Sequence, residues 1–216
     1  GERAAVIRRA IGAACGLLLA AATAAATPSP AAPGTAPPIE VTGAAFAELD
    51  ERAGIWTLRG APVVVRRGEV QIEAQTVVYE TGPRIVRAAG TVTYRDAALE
   101  VTAARLTAWL EEERLLAEGG VTARAPEGRL AAGRVELVAS REELIAEQDA
   151  RLVHEDLEGR AGRIVLQRRV GLATLSGGAT LRRGASETRA ATIVVDLRRR
   201  RITASGGAVV TVVPER

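Results

Sequence analysis

The chain has 216 residues, 47% apolar and 25% charged, with five aromatic side chains, one Cys, one His and no Met. At ~150 residues per domain that length suggests one or two domains, while a single Cys excludes a disulfide framework or a four-thiolate metal site, and a lone His leaves no His-rich metal cluster and no evident base for a Ser or Cys nucleophile. The net charge of +3 comes from 29 cations, all of them Arg, spread in alternating sign against 26 acids, and with so few aromatic rings to stack bases this argues against a nucleic-acid partner.

Residues 1–26 read as a secretory signal peptide. Arg3, Arg8 and Arg9 give a basic start, Ile11 to Ala26 carries no charge, and Ala24 to Ala26 form a small-residue exit. The apolar run is shorter and weaker than the ~20 apolar residues a membrane-spanning helix needs. Its removal would take away three Arg and one Glu and leave a charge of +1. Cys15 lies within it as a small apolar filler. Residues 27–38, rich in Pro, Ala, Ser and Thr, read as a disordered lead-in.

From residue 39 to residue 213 one unit recurs about every thirty positions. Gly60-Ala61, Gly90-Thr91, Gly120-Val121, Gly178-Ala179 and Gly207-Ala208 are spaced by 30, 30, 58 and 29, and the member missing from the long interval falls at Asp149-Ala150, where Asp also tolerates positive φ. A second anchor runs in phase at Ala44, Ala74, Ala104, Gly133, Gly162 and Ala191. After each anchor, residues at +2 and +4 follow the period of a strand. A charged tip comes next, as at Glu111 to Arg114, Arg141 to Glu143 and Arg198 to Arg201, and then a second strand that is expected to end at the Gly. Thr102 to Glu118 is rich in helix formers, but its neighbours in the repeat, such as Ile164-Val165-Leu166, favour a pleated surface, so it too is predicted as strand. Six units give about twelve strands of ~8 residues, which on two facing sheets would stack to ~29 Å. Units of this kind must share one continuous interior, because none can bury its apolar face alone.

The run Pro38-Ile39-Glu40-Val41, with Ala74-Gln75-Thr76-Val77-Val78-Tyr79 followed by Gly90-Thr91-Val92, resembles the OstA-like domain family typified by the lipopolysaccharide transport protein LptA. The resemblance spans residues 38 to 213. It implies an all-β, elongated, folded-over antiparallel β jelly roll that carries lipopolysaccharide across the periplasm from the inner to the outer membrane. The partners it implies are lipopolysaccharide and the inner-membrane LptC-like and outer-membrane LptD-like β domains. The alternative is a structural β-repeat scaffold without a lipid path or, because Tyr and Phe are fewer than the family usually carries, an LptC-like, inner-membrane-anchored relative.

A groove lined by apolar side chains would give acyl chains a route through water, where each exposed methylene costs ~0.8 kcal/mol. The expected liners are Phe46, Val78, Leu106, Val121, Val135, Leu137, Ile164, Leu166, Leu175, Ile193 and Val195, with Ala74, Ala104, Ala108 and Ala191 leaving room between them. The same residues would equally fill a closed core. Unpaired strands at both ends would accept another chain by edge pairing, giving contact with homologous domains and head-to-tail self-association. No catalytic residue, metal or cofactor is expected. His154 and the acids around it read as a solvated strand end, Arg198 to Arg201 as a charged turn with lipid phosphate as the sharper alternative, and Trp56 and Trp109 as packing residues.

Overall fold

The computed structural model describes residues 40–97, 99–126 and 128–213. The expected signal peptide and lead-in lie outside them. Thirteen antiparallel strands form a single sheet: β1 (Glu40–Asp50), β2 (Ile55–Arg67), β3 (Val70–Glu80), β4 (Ile85–Arg95), β5 (Glu100–Trp109), β6 (Arg114–Ala125), β7 (Gly128–Val138), β8 (Glu143–His154), β9 (Leu157–Gln167), β10 (Leu172–Arg183), β11 (Ser186–Asp196), β12 (Arg201–Ser205) and β13 (Val209–Thr211). From β1 to β12 each strand pairs with the next in sequence. β12 and β13 both pair with β11, on Thr192–Asp196 and Glu187–Arg189 respectively, so they are the two halves of one interrupted twelfth strand. Thr102 to Glu118 forms two strands and the turn between them, as its place in the repeat requires.

Strands are longer than expected, 10 to 13 residues in β1 to β11, because the glycine of each unit does not end a strand. It bends one. The register slips at the middle of the pairings from β1 through β11, for example between Glu73 and Thr76, Glu118 and Val121, and Ser176 and Ala179. On the even strands from β4 onward the slip coincides with two successive residues at positive φ: Gly90-Thr91, Gly119-Gly120, Gln148-Asp149, Gly177-Gly178 and Gly206-Gly207. Asp149, at φ 56°, occupies the place predicted for it from the interval in the glycine series. Facing each pair, on the neighbouring strand, stands a small residue or Gln, and a Cβ at Gly119 would run into Cβ of Ala104. Bulges of this kind bend a strand and increase its twist, and stacked in register they crease the whole sheet.

The crease replaces the expected pair of facing sheets. Both layers belong to one sheet, each strand contributing half its length to each wall. Leu175 shows that the walls meet: it pairs with Ile164 on one side of the crease, and its side chain lies where a Cβ of Gly159, from the other side, would have to go. With twelve strands in a row the stack is roughly 50 Å long at ~4.8 Å per strand, not ~29 Å.

The inner face follows the pleat. Its buried alanines, Ala74, Ala103, Ala132, Ala161 and Ala190, recur every 29 residues. The anchor series expected from the sequence therefore slips by one in the early units: Ala74 is on the inner face, whereas Ala104, Gly133, Gly162 and Ala191 sit one place later, at the bulge. One residue of slip moves a side chain to the opposite face. That is why Val77 and Tyr79 are buried and Val78, opposite Thr57 and Arg87, is outside. The same slip applies to Phe46. It pairs with Arg59 on the outer face, is 45% exposed, and has the Arg59 guanidinium 5.5 Å above its ring. Ala104 and Ala191 are exposed too and line nothing, while Ala74 and Ala108 are buried.

Candidate apolar slot

Along the crease the two walls interlock. Val63, Ile164, Leu175 and Ile193 have no exposed surface, and Leu106, Val121, Val135, Leu137 and Val195 are likewise buried. All of these but Val63 are expected liners, and they fill the interior of the wedge. Each wall then ends in a row of turns, and the rows differ. One row, called the upper margin here, joins β1–β2, β3–β4, β5–β6, β7–β8, β9–β10 and β11–β12. The other, the lower margin, joins β2–β3, β4–β5, β6–β7, β8–β9 and β10–β11. The charged tips expected at Glu111, Arg141 and Arg198 all fall on the upper margin.

Where the margins face each other the interlocking stops. A cavity of about 240 Å³ opens there. From the lower margin it is lined by Leu99, Ala123, Leu130, Leu152, Val153 and His154, and from the upper by Leu144, Leu166, Arg168, Leu172 and Leu197. Most of these leucines are only partly buried and pack against the core from its rim. Of the residues expected to line a groove, Leu166 alone stands at this opening. Reading the sequence for strand centres finds the crease. The slot is built instead from leucines next to the turns.

Two of the turns that carry these leucines, those at Leu99 and Leu197, are held by side-chain carboxylates. Asp96 accepts the Leu99 N–H at 2.8 Å, while its own N–H donates to the Leu99 carbonyl at 3.0 Å, so the turn folds tightly and Leu99 is set at the lip. Tyr94, 5% exposed, donates its hydroxyl to Asp96 at 2.8 Å. Burial, reinforced by that carboxylate, holds the phenol protonated far above its ordinary range. Across the slot, Asp196 accepts the N–H groups of Arg198 at 3.1 Å and Arg199 at 2.9 Å. Those backbone bonds, led by Arg199's, keep its carboxyl below the usual carboxylate range. Leu197 beside it donates its N–H to the Gly171 carbonyl at 2.9 Å, one rung of a ladder that ties successive upper turns together.

Towards the β12 end the mouth is bridged. Asp156, in the lower turn between β8 and β9, accepts from Nε of Arg183 at 2.7 Å on its own margin. Arg200, in the upper turn, reaches across to Asp156 at 3.5 Å and to Glu155 at 3.9 Å. The charged tip of the last unit thus spans the gap between the margins. His154, expected at a solvated strand end, is half-buried at the edge of the cavity. Trp109 packs under the guanidinium of Arg114, 4.0 Å from its ring, and Trp56 packs against the core.

Among the described residues nothing covers the wedge at the two ends of the stack. β1 is exposed along all eleven residues and pairs only with β2. Val41, Ala47 and Leu49 occupy its inner face, opposite Val65, Leu58 and Trp56. At the other end Val209, Val210, Val212 and Val213 are exposed. The fold therefore offers a continuous apolar interior, an opening along one side and two free sheet edges.

Comparison with known proteins finds one family. A family model described as LptA/(LptD N-terminal domain) LPS transport protein matches residues 41–201. Among solved structures the chain is similar to the crystal structure of LptH, the LptA homologous periplasmic component of the conserved lipopolysaccharide transport device from Pseudomonas aeruginosa, at 16% identity over 82% of this chain and 96% of that one; the TM-score of 0.26 is too low for the superposition to carry an argument. No curated protein matches the chain.

Proposed function

The chain belongs to the family of LptA and the LptD N-terminal domain, lipopolysaccharide transport proteins rather than enzymes, and on that premise we propose that it is a periplasmic bridge whose creased sheet holds the acyl chains of lipopolysaccharide in the slot between its margins. The observation that carries this is the change along each wall from a filled crease to an opening rimmed by Leu99, Leu144, Leu152, Leu166, Leu172 and Leu197. A purely structural repeat has no need to stop interlocking there. Acyl chains entering sideways would exchange water for leucine at ~25 cal/mol per Å² of apolar surface. The sugar head would stay outside, between the two rows of turns.

The free edges complete the path. β1 and the split β12/β13 strand would add the edge strands of homologous inner-membrane and outer-membrane domains, or of further copies of this chain, extending one slot into the next. Secretion by a cleaved signal over residues 1–26 and a domain covering 39–213 belong to the same proposal.

Site-specific photocrosslinking in cells tests it. Probes at positions 152, 166 and 172 are expected to capture lipopolysaccharide, and a probe at the outer-face position 78 is expected to capture none. Silence at all three slot positions would leave only the scaffold reading.

A further inference from the structure

The outer face of the sheet pairs its charges in two different ways. Along the crease they alternate across neighbouring strands, Arg105 opposite Glu118, Glu118 opposite Arg134, Arg134 opposite Glu147 and Glu147 opposite Arg163. Glu147 lies 3.6 Å from Arg134 and 3.4 Å from Arg163. Nearer the lower margin the rule breaks. Arg124 of β6 stands directly opposite Arg129 of β7, and Arg151 of β8 directly opposite Arg160 of β9. Because Arg129 faces Val153, two residues from Arg151, the two pairs are diagonal neighbours and form one zigzag over four strands. Like charges directly opposite one another destabilise a sheet.

All four arginines are exposed, and none forms an ion pair with a described residue. The described acids nearby do not pair with them. Arg124 stands directly opposite Glu100 and attracts it through space, but Glu100 is hydrogen-bonded on its other side to Arg95 at 2.8 Å. Glu158, on the same face as Arg160, faces Val153 and Arg182. The row begins at the slot itself, since Arg129 and Val153 belong to its lower lip. Four exposed guanidiniums with no ion pair among the described residues, planar forks suited to phosphate oxygens, thus run from the lip of an apolar opening. Anywhere else on the surface they would suit any polyanion; here they suit an anion joined to an apolar body.

Resting on the carrier reading above, we propose that Arg124, Arg129, Arg151 and Arg160 bind the phosphate groups on the sugar head of the lipid whose acyl chains occupy the slot. The zigzag sets which way the head leaves the wedge, over the lower margin and onto the outer face of β6 to β9.

The test uses the full chain and a variant carrying Arg124→Gln, Arg129→Gln, Arg151→Gln and Arg160→Gln. Three probes are titrated: bisphosphorylated lipid A, the same lipid after enzymatic removal of its phosphates, and the bisphosphorylated disaccharide without acyl chains. Wild-type protein is expected to prefer the phosphorylated lipid by roughly 10- to 100-fold, the gain of one or two charge-assisted hydrogen bonds, with the preference shrinking as salt is raised. In the variant the preference should fall below about threefold while the dephosphorylated lipid binds as before, since only the exposed charge has been removed. An undiminished preference in the variant overturns the assignment. Disaccharide binding as tight as the lipid's overturns it in favour of a free-phosphate site. If wild type binds neither lipid, the carrier reading falls and takes this one with it, a result distinct from binding both lipids equally, which removes the phosphate site alone. Thermal unfolding gives an independent readout: relief of the opposed charges should leave the variant at least as stable as wild type, whereas a loss of stability would make the row structural and overturn the proposal.

Discussion

Between β9 and β11 the inner face is sealed along the crease, where Ile164, Leu175 and Ile193 expose nothing, whereas the inner face of β1 keeps Val41 at 37% and Leu49 at 39% exposure. The hairpin is the same in both places and so is the period. What differs is the number of neighbours: an inner-face side chain loses its water only when strands on both sides, and the opposite wall, close over it. Among the described residues neither end carries a capping unit, and the apolar surface left there is available to whatever continues the stack.

The largest effects should come from the sealed region. Ile193→Ala is expected to cost about 2–5 kcal/mol, as large-to-small changes in packed cores do, and Leu49→Ala clearly less, because Leu49 keeps 39% of its surface in water and leaves no enclosed cavity. Chemical denaturation of both variants measures the difference; equal costs would mean that β1 is covered in the free protein. The crease gives the next step down. At Gly178, φ +75° with open space around a would-be Cβ, alanine should cost only the left-handed backbone strain of about 1–2 kcal/mol. At Gly119, φ +86°, the added methyl also meets Ala104, so Gly119→Ala should cost more than Gly178→Ala. A reversed order would separate the crease from the strand contacts we ascribe to it. Smaller again, Val41→Lys with Leu49→Lys should weaken concentration-dependent self-association by roughly tenfold, read by light scattering, because charged residues blunt an exposed edge. Self-association unchanged by this pair of substitutions would place the contact at β12/β13 alone.

How much of this was legible in the sequence depends on what each residue reports. The period, the strand character of Thr102 to Glu118, the charged upper turns and the positive φ at Asp149 were readable because each is local: a spacing, a propensity, a turn chemistry. The bend was not. Gly90 and Gly120 look alike whether they end a strand or crease one, since a positive φ serves both, and only the register of the neighbouring strand decides. The face of a side chain was readable only where the anchor was placed correctly, so Leu106, Val135 and Ile193 fell inside while Phe46 and Val78, one residue out of step, fell outside. The slot was hidden for a different reason. Leu99 and Leu197 come together across the mouth from turns almost a hundred residues apart, and no spacing within a unit announces which turn will face which.

The bridge at the β12 end closes what the β1 end leaves open, and it should be the weakest of these contributions. Asp156 is held below the ordinary carboxylate range first by the hydrogen bond from Arg183 and then by its charge, with Arg200 adding a smaller attraction across the mouth. A carboxyl whose folded value is lowered stabilises the fold at pH values above its unfolded value, and the contribution fades as pH falls through the folded one. Asp156→Asn should therefore lower the melting temperature slightly at pH 7 and leave it unchanged in acid, where the wild-type carboxyl is protonated as well. Salt should shrink the difference at pH 7, because all three groups are exposed enough to be screened. The same variant asks whether the bridge does more than hold two turns together: if Asp156→Asn also speeds lipid capture by a probe at position 166, the ion pair gates the slot, and if capture is unchanged it only steadies the last turn.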